Sequence, residues 1–393
     1  MKGYGWFILL LVLCGALGSG CESEDIDTRE PIDPDPPVVN PLEPDNALQL
    51  EINALIQLVQ LPEHPNHVPA LERLADIGEP AVPEVIKLLD HENERVRVSV
   101  IHIFSQMGPP AAGAVPVLNE RLLDTSEPLR SDIAGALGQI RDPRSIPVLI
   151  QVLDDGDPAV RNTSAGALGH IGEPASAAVP ALTAALNDPD AGVRYSVAFA
   201  LGQMGPAAVV ASPALVQTLG DLDPIVATKA MIALMKIGPP AKAALLEGIA
   251  DNQDNISFFS LAISALGHTG SDPQTVEVLL KALNHAKSKV RFSAAHALAV
   301  IKTPPDVIVP ALVGKFTDES PGVREASVLS LGKIGPPARD AVPDLIKVLE
   351  RADRVLRRRT AWALMQIGTP EAVAAVQAAI EAFDDPWLEE FRQ

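Results

Sequence analysis

Histidine is the side chain in this sequence best suited to metal binding or to proton transfer near neutral pH, and the chain has eight. His64 and His67 lie three residues apart, a spacing found among metal ligands, but Pro65 and the turn context argue against a site there. The sequence contains one His-Glu pair, at His91, and no helical His-Glu-x-x-His motif. It therefore predicts no metal site.

The sequence also lacks the common signatures of nucleophilic catalysis and of phosphate binding. Both cysteines, Cys14 and Cys21, come before residue 22, which excludes a disulfide scaffold and a Cys-based metal centre in the rest of the chain. We therefore expect no cofactor and no catalytic residue. Two alternatives are left open: an enzyme or enzyme subunit whose site in the concave groove the sequence does not reveal, and a purely structural spacer that binds no partner.

The charged residues with the most regular spacing are arginines. They recur at Arg97, Arg130, Arg161, Arg194, Arg291, Arg324 and Arg357. Six residues before the arginine position of a copy an aspartate recurs, at Asp124, Asp155, Asp188, Asp221 and Asp318, and in the copy of Asp221 the arginine position is Ala227. Arginine and carboxylate groups in register can form a ladder of paired hydrogen bonds.

These arginines belong to a unit that repeats every 30–33 residues, from about residue 66 to 368. Clear copies are DPAVRNTSAGALGHIG (157–172), DPDAGVRYSVAFALGQMG (188–205) and ESPGVREASVLSLGKIG (319–335). Ten copies at this period predict a solenoid.

Each copy is predicted to form two helices. Asp157-Pro158 supplies an N-cap and a preset first turn, and a helix of about 13 residues ends at Gly172, which suits a left-handed position. A Pro-containing turn then leads to a second helix with Val179 and Leu182 on its buried stripe. With only 4% aromatic residues, the core must be aliphatic. The predicted fold is all-α, an αα-superhelix of about ten two-helix repeats plus a terminal helix.

The pattern Val-Arg-x-x-(small)-x-x-Ala-Leu-Gly-x-(Ile/Met)-Gly, as at 160–172 and 193–205, closely resembles the HEAT-repeat family in its short bacterial form, named after phycobilisome lyases. The resemblance covers roughly residues 47–383. It implies a curved scaffold whose inner helices line a concave face, and it implies no single activity. Only the name of this repeat form would suggest lyase activity; no residue pattern in the sequence indicates it.

The resemblance also implies that the Asp/Arg ladder ties adjacent copies together and caps helix ends, so we do not assign the arginines to a binding site. Two copies break the ladder, because Ala227 and Phe259 replace Arg while Gln253 and His285 replace Asp. The break indicates either a local change of curvature or binding around 225–296, or neutral drift.

A stripe on the inner helices, one and five residues after the motif arginine, collects many of the scarce aromatic residues. It contains Tyr195, Phe199, Phe292, His296 and Trp362. Exposed aromatic residues commonly anchor protein interfaces. We predict that this stripe binds a protein partner or an extended peptide; the other interpretation is that Phe199 and Trp362 only pack between copies.

The net charge of −19 argues against nucleic acid as a partner. One basic cluster occurs, at Arg351, Arg354, Arg357, Arg358 and Arg359. It is interpreted as a solvated helix face or a contact to an acidic lipid or partner.

The N-terminus predicts export. After Lys2, the apolar run of 6–17 is shorter than the roughly 20 residues that span a bilayer and is typical of a signal peptide. Residues 17–21, Leu-Gly-Ser-Gly-Cys, resemble a bacterial lipobox, although the leucine stands four residues before Cys21 rather than three. We expect a signal peptide (1–20), a lipid anchor at Cys21, a disordered, acidic and Pro-rich tether (21–45) and the solenoid (46–393).

The sequence thus predicts a non-catalytic scaffold anchored to the bacterial cell envelope through its N-terminal lipid and binding a protein on its concave face. An outer-membrane or cell-surface location is favoured over the inner membrane, because Glu22 after the cysteine differs from the aspartate of inner-membrane retention signals.

Overall fold

The computed structural model describes residues 44–301, 304–383 and 385–392, and all regular structure in these ranges is helical. The predicted all-α repeat fold is confirmed. The expected signal peptide (1–20), the tether up to residue 43 and Cys21 lie outside the described residues. The described chain forms two compact units, one ending at Ala114 and one beginning at Val115.

The first unit has four α-helices. They are α1 (Pro44–Val59), α2 (His67–Ile77), α3 (Val82–Lys87) and α4 (Glu94–Met107). Helix α2 packs between α1 and α4, and Leu74, Val100 and Phe104 from these helices are fully buried.

In the second unit, inner and outer helices alternate along the chain. The inner helices are those that contain the position of the repeated arginine. The inner helices are α6 (Arg130–Ile140), α8 (Pro158–Ile171), α10 (Ala191–Met204), α12 (Pro224–Ile237), α14 (Ile256–Leu266), α16 (Ser288–Leu298), α18 (Pro321–Ile334) and α20 (Arg354–Ile367). The outer helices are α5 (Val115–Leu123), α7 (Ile146–Gln151), α9 (Val179–Ala185), α11 (Ser212–Thr218), α13 (Lys242–Asp251), α15 (Pro273–Leu283), α17 (Pro305–Val313), α19 (Val342–Arg351) and the terminal α21 (Pro370–Ala382). Each inner helix packs against the inner helix of the next copy, so the stripe positions recur side by side.

The α8 copy shows how the sequence sets the helix ends. Asp157 accepts a hydrogen bond from the backbone N–H of Ala159 at 2.8 Å, and Pro158 occupies the first turn. Gly172 has φ 77°, as expected, but its ψ of −140° lies outside the left-handed helical region that the sequence predicted. Because side-chain-bearing residues avoid that conformation, glycine is needed there.

In most copies the Pro-containing turn includes 3-10 helix, which the sequence did not predict, although none is present between α14 and α15. In the α8 copy, Glu173–Ala178 is 3-10 helix with a kink at Ala175 and leads directly into α9. Residues 191–218, the most apolar long helical stretch, contain such a turn between α10 and α11. Half of the most apolar part of this stretch is buried. Val193, Val197 and Leu201 are among its fully buried residues. This stretch therefore belongs to the core of the solenoid.

The Asp/Arg ladder ties neighbouring copies, as predicted. The Arg161 Nε and Nη2 donate to the two carboxylate oxygens of Asp188 in the next copy, at 2.7 and 2.9 Å, while Nη1 donates to the backbone oxygen of Asp155 at 2.8 Å. Arg194 repeats this geometry with Asp221 and the Asp188 backbone. The hydrogen bonds from Arg161 lower the pKa of the Asp188 carboxyl, while its partial burial raises that pKa by a smaller amount. The pKa of Asp188 is therefore lower than its ordinary value.

The ladder is interrupted between α12 and α16. Where Phe259 replaces the arginine, its ring packs against the ring of His285, the residue that replaces the aspartate, with centroids 5.4 Å apart. The ion pairs resume at Arg291 and Asp318, 2.7 Å apart. At this junction both residues of the ion pair are therefore replaced, and the two replacements remain in contact with each other.

Candidate functional site

The aromatic stripe begins on α10 with two rings that share one cation. Tyr195 and Phe199 are both partly buried. The Nζ atom of Lys229, from the next inner helix, lies 4.5 Å from the centre of the Tyr195 ring and 5.7 Å from that of Phe199. This arrangement is a cation–π contact on the surface of α10 and α12.

Phe199 also packs against the copy before it. A Cβ atom on Gly169 would lie 2.9 Å from the Phe199 Cε1 atom, so the ring covers this glycine. The ring of His170 meets Phe199 edge-on, with centroids 5.8 Å apart. The packing interpretation is therefore correct for part of the ring, while the rest of Phe199 remains at the surface.

A second aromatic pair lies on α16. The rings of Phe292 and His296, one turn apart, form an edge-to-face contact with centroids 4.6 Å apart. Phe292 is 42% exposed. Burial, with a smaller contribution from the positive charge of Lys333, lowers the pKa of His296 and favours its neutral, more apolar form.

Trp362 on α20 is the last stripe residue. A Cβ atom on Gly332 of the preceding inner helix would meet the Trp362 ring at 2.5 Å, so this indole lies over Gly332 as Phe199 lies over Gly169. Its outer face lines a groove formed with the C-terminal residues.

The five predicted residues therefore occupy three patches rather than one pocket: Tyr195 with Phe199 on α10, Phe292 with His296 on α16, and Trp362 on α20. The intervening helices α12, α14 and α18 carry no aromatic residue at the stripe positions. Sequence reasoning missed Lys229, whose contact arises only when the next copy packs against α10. Its signal was a lysine two residues after the arginine position, where neighbouring copies carry Ser196 and Thr163.

The histidines with ligand-like spacing have structural partners in the first unit. The Nδ1 atom of His64 accepts a hydrogen bond from the backbone N–H of Asn66 at 3.1 Å, and His67 is buried with its Nε2 atom 3.1 Å from the Ser99 hydroxyl. Across residues 44–301, 304–383 and 385–392, no group of three or more His, Cys, Asp or Glu side chains is placed to hold a metal ion.

Comparison with known families and structures agrees with the observed repeat. Residues 115–179, 179–257 and 309–390, together more than half of the chain, match the family described as HEAT repeats. No protein of curated function matches the sequence.

Similar solved structures include Kap95 bound to Nup1, with 16% identity, a TM-score of 0.64, and 88% of this chain and 54% of that chain covered. A structure of Kap95p with RanGDP gives 15% identity, a TM-score of 0.63, and coverage of 88% and 53%. An engineered protein is 22% identical over 87% of this chain and 97% of its own, with a TM-score of 0.42. The chain spans about half the length of the Kap95 chains, and at these identities the likeness extends to the fold alone.

Proposed function

Because the chain belongs to the HEAT-repeat family, we propose that it is a non-catalytic scaffold that binds a protein partner through the aromatic stripe of its inner helices. HEAT-repeat solenoids commonly serve as protein-interaction scaffolds, and Kap95, which is similar in fold, is seen with Nup1 and with RanGDP. Repeats that contact only their neighbours leave a long continuous surface available to a partner.

The observation that carries this proposal is the incomplete burial of scarce aromatic side chains in one repeated register. Phe292 exposes 42% of its surface in a helix whose Val290, Ala294 and Leu298 are fully buried. Tyr195 and Phe199 add a second patch with Lys229 above it. Rigid aromatic rings beside a cation supply apolar area and a directional contact at small entropic cost, which is the usual composition of interface hot spots.

We further propose that the scaffold is exported and held at a membrane of the bacterial envelope, at the outer membrane or cell surface. The support is in the sequence alone: a short apolar run, the lipobox-like residues ending in Cys21, and a following segment with nine acidic residues against one basic residue in 22–45. Such a segment would act as a spacer between a lipid anchor and the solenoid. Mass spectrometry of Cys21 for diacylglycerol tests the anchor.

The binding proposal predicts that a partner is retained by the wild-type chain and lost by a Tyr195→Ala/Phe199→Ala/Phe292→Ala variant. A buried aromatic hot spot contributes about 2 kcal/mol, so loss of even one should weaken affinity by about 30-fold. The measurement is affinity purification from envelope extracts with both chains, at low and at high salt, followed by titration of the protein recovered.

A matched control removes exposed apolar side chains away from the stripe. Val210 and Leu222 are 68% and 99% exposed, and a Val210→Ala/Leu222→Ala variant should keep the partner. Equal recovery by wild type and stripe variant, with both folded by circular dichroism, would refute binding at the stripe. A bound metal or chromophore in the purified protein would instead support the enzyme alternative.

A further inference from the structure

The C-terminal end of the second unit contains a groove of about 680 Å³ between α18, α20 and the residues after α21. Its aromatic walls are Trp362, Trp387 and Phe391, and its apolar lining includes Val355 and Leu329. Trp387 and Val355 are 50% and 58% exposed. The groove therefore offers apolar surface that the fold itself leaves uncovered.

The same groove is cationic, although the chain is strongly acidic. Four basic side chains line it, Lys333, Arg354, Arg358 and Arg359, together with the carboxylate of Glu390. Ion pairs of Arg354 with Asp385, Arg358 with Glu390 and Arg359 with Glu325 offset three of these charges, so the net excess is the charge of Lys333. The whole chain carries a net charge of −19. A local excess of positive charge beside the exposed Trp387 indole and the partly buried Trp362 indole is thus a departure from the rest of the molecule.

Two of these arginines are held in place by the chain's own tail. Arg358 donates from Nε and Nη2 to the Glu390 carboxylate at 2.8 and 3.2 Å, and its guanidinium lies 4.5 Å from the centre of the Trp387 ring. The Arg354 Nε donates to Asp385 at 2.9 Å. A guanidinium has five N–H donors, so Arg358 keeps others for a ligand while its position is fixed.

Lys333 presents a cation at the opposite wall. It is exposed on α18 and has no ion-pair partner within the described parts of the chain. Its charge makes the smaller contribution to lowering the pKa of His296 on the neighbouring inner helix α16, after burial.

We infer that this groove binds an extended acidic peptide segment of the partner, with carboxylates meeting Lys333 and Arg358 and an apolar side chain lying against Trp362 and Trp387. This inference rests on the proposed function, since Trp362 belongs to the stripe, and it supplies the chemistry of the partner there. Charge complementarity favours an acidic segment, and the groove's volume suits a few extended residues. An anionic membrane is disfavoured, because the chain's overall negative charge is repelled by such a surface.

The test uses fluorescence anisotropy of a labelled peptide of three Asp-Glu-Pro-Leu repeats, titrated with the full chain. Saturable binding that weakens with salt is expected. Lys333→Glu should weaken it by about tenfold, because reversing one of the cations replaces an attraction by a repulsion of similar size. The Asn-Gln-Pro-Leu counterpart of the peptide should not bind.

Arg351→Glu is the matched control. This variant has the same net charge as Lys333→Glu. Because Arg351 is exposed at the end of α19 and does not line the groove, the variant should bind the acidic peptide nearly as the wild type does. Equal weakening by the two variants, absence of saturable binding, or Lys333-dependent binding to phosphatidylglycerol vesicles without peptide binding would each overturn the inference. The stripe variant tested by affinity purification leaves Lys333 and Arg358 intact, so failure of the peptide inference can be distinguished from failure of the proposed function.

Discussion

Asp188→Ala is expected to lower the free energy of unfolding by about 3 kcal/mol, because it leaves the largely buried Arg161 guanidinium without its carboxylate. The side chains of Arg161 and Asp188 are 12% and 8% exposed, and both carboxylate oxygens of Asp188 are engaged by Arg161. Urea unfolding followed by circular dichroism measures the loss. A change below about 0.5 kcal/mol, the range of an ordinary surface substitution, would show that the ladder does not stabilise the solenoid.

The interrupted junction supplies a control within the same chain. Phe259 and His285 occupy the two ladder positions there with their rings in contact, so Arg161→Phe combined with Asp188→His should recover much of the lost stability.

The pH dependence of stability is a second check on the Arg161–Asp188 ion pair. Since the folded pKa of Asp188 is lowered from 3.8, its stabilising contribution is present above that value and is lost as the pH falls through the folded pKa. Asp188→Ala should lose less stability on acidification than the wild type.

Gly169→Ala is expected to destabilise the chain by about 1–3 kcal/mol, although alanine is the better helix former. A Cβ atom at Gly169 would lie 2.9 Å from the Ala200 Cα atom and 2.9 Å from the Phe199 ring. Because one of these contacts is backbone, α8 and α10 would have to move apart. The variant should also displace Phe199 and so weaken partner binding.

Gly166, three residues earlier on α8, makes the comparison direct. A Cβ atom there would meet nothing within 4 Å. Gly166→Ala should therefore stabilise the helix by roughly 0.5–1 kcal/mol through reduced backbone entropy in the unfolded chain. Thermal unfolding of the two variants should shift in opposite directions, and a shared direction would contradict the close-packed interface described for Gly169.

The fold was largely predictable because its determinants are local and repeated. Asp157-Pro158 and Gly172 mark the two ends of α8 in the sequence as clearly as in the structure. The ladder was predictable for the same reason, since Arg161 and Asp188 keep their register in several copies. The sequence did not predict the ψ angle of Gly172, because this angle depends on the 3-10 helix that begins at Glu173.

The candidate site was predictable only in part, since it depends on contacts between copies. Phe199 and Phe292 occupy the same face of their helices, but only packing shows that Phe199 covers Gly169 while Phe292 stays exposed. The C-terminal groove was not foreseen, because Trp387 reaches Arg358 only when the tail folds back. The hydrogen bond from the Gln377 side chain to the Phe391 backbone oxygen, 2.9 Å long, helps to hold the tail there.

Site-specific photocrosslinking tests most directly whether the inner-helix stripe is the docking surface. A photoreactive benzoylphenylalanine would replace Tyr195 on α10 in one chain and Gln217 on the outer helix α11, which is exposed, in another. Both chains would be irradiated in cells and the crosslinked products identified by mass spectrometry. A protein captured from position 195 and absent from position 217 is expected; capture from 217 with none from 195 would contradict a partner bound on the stripe.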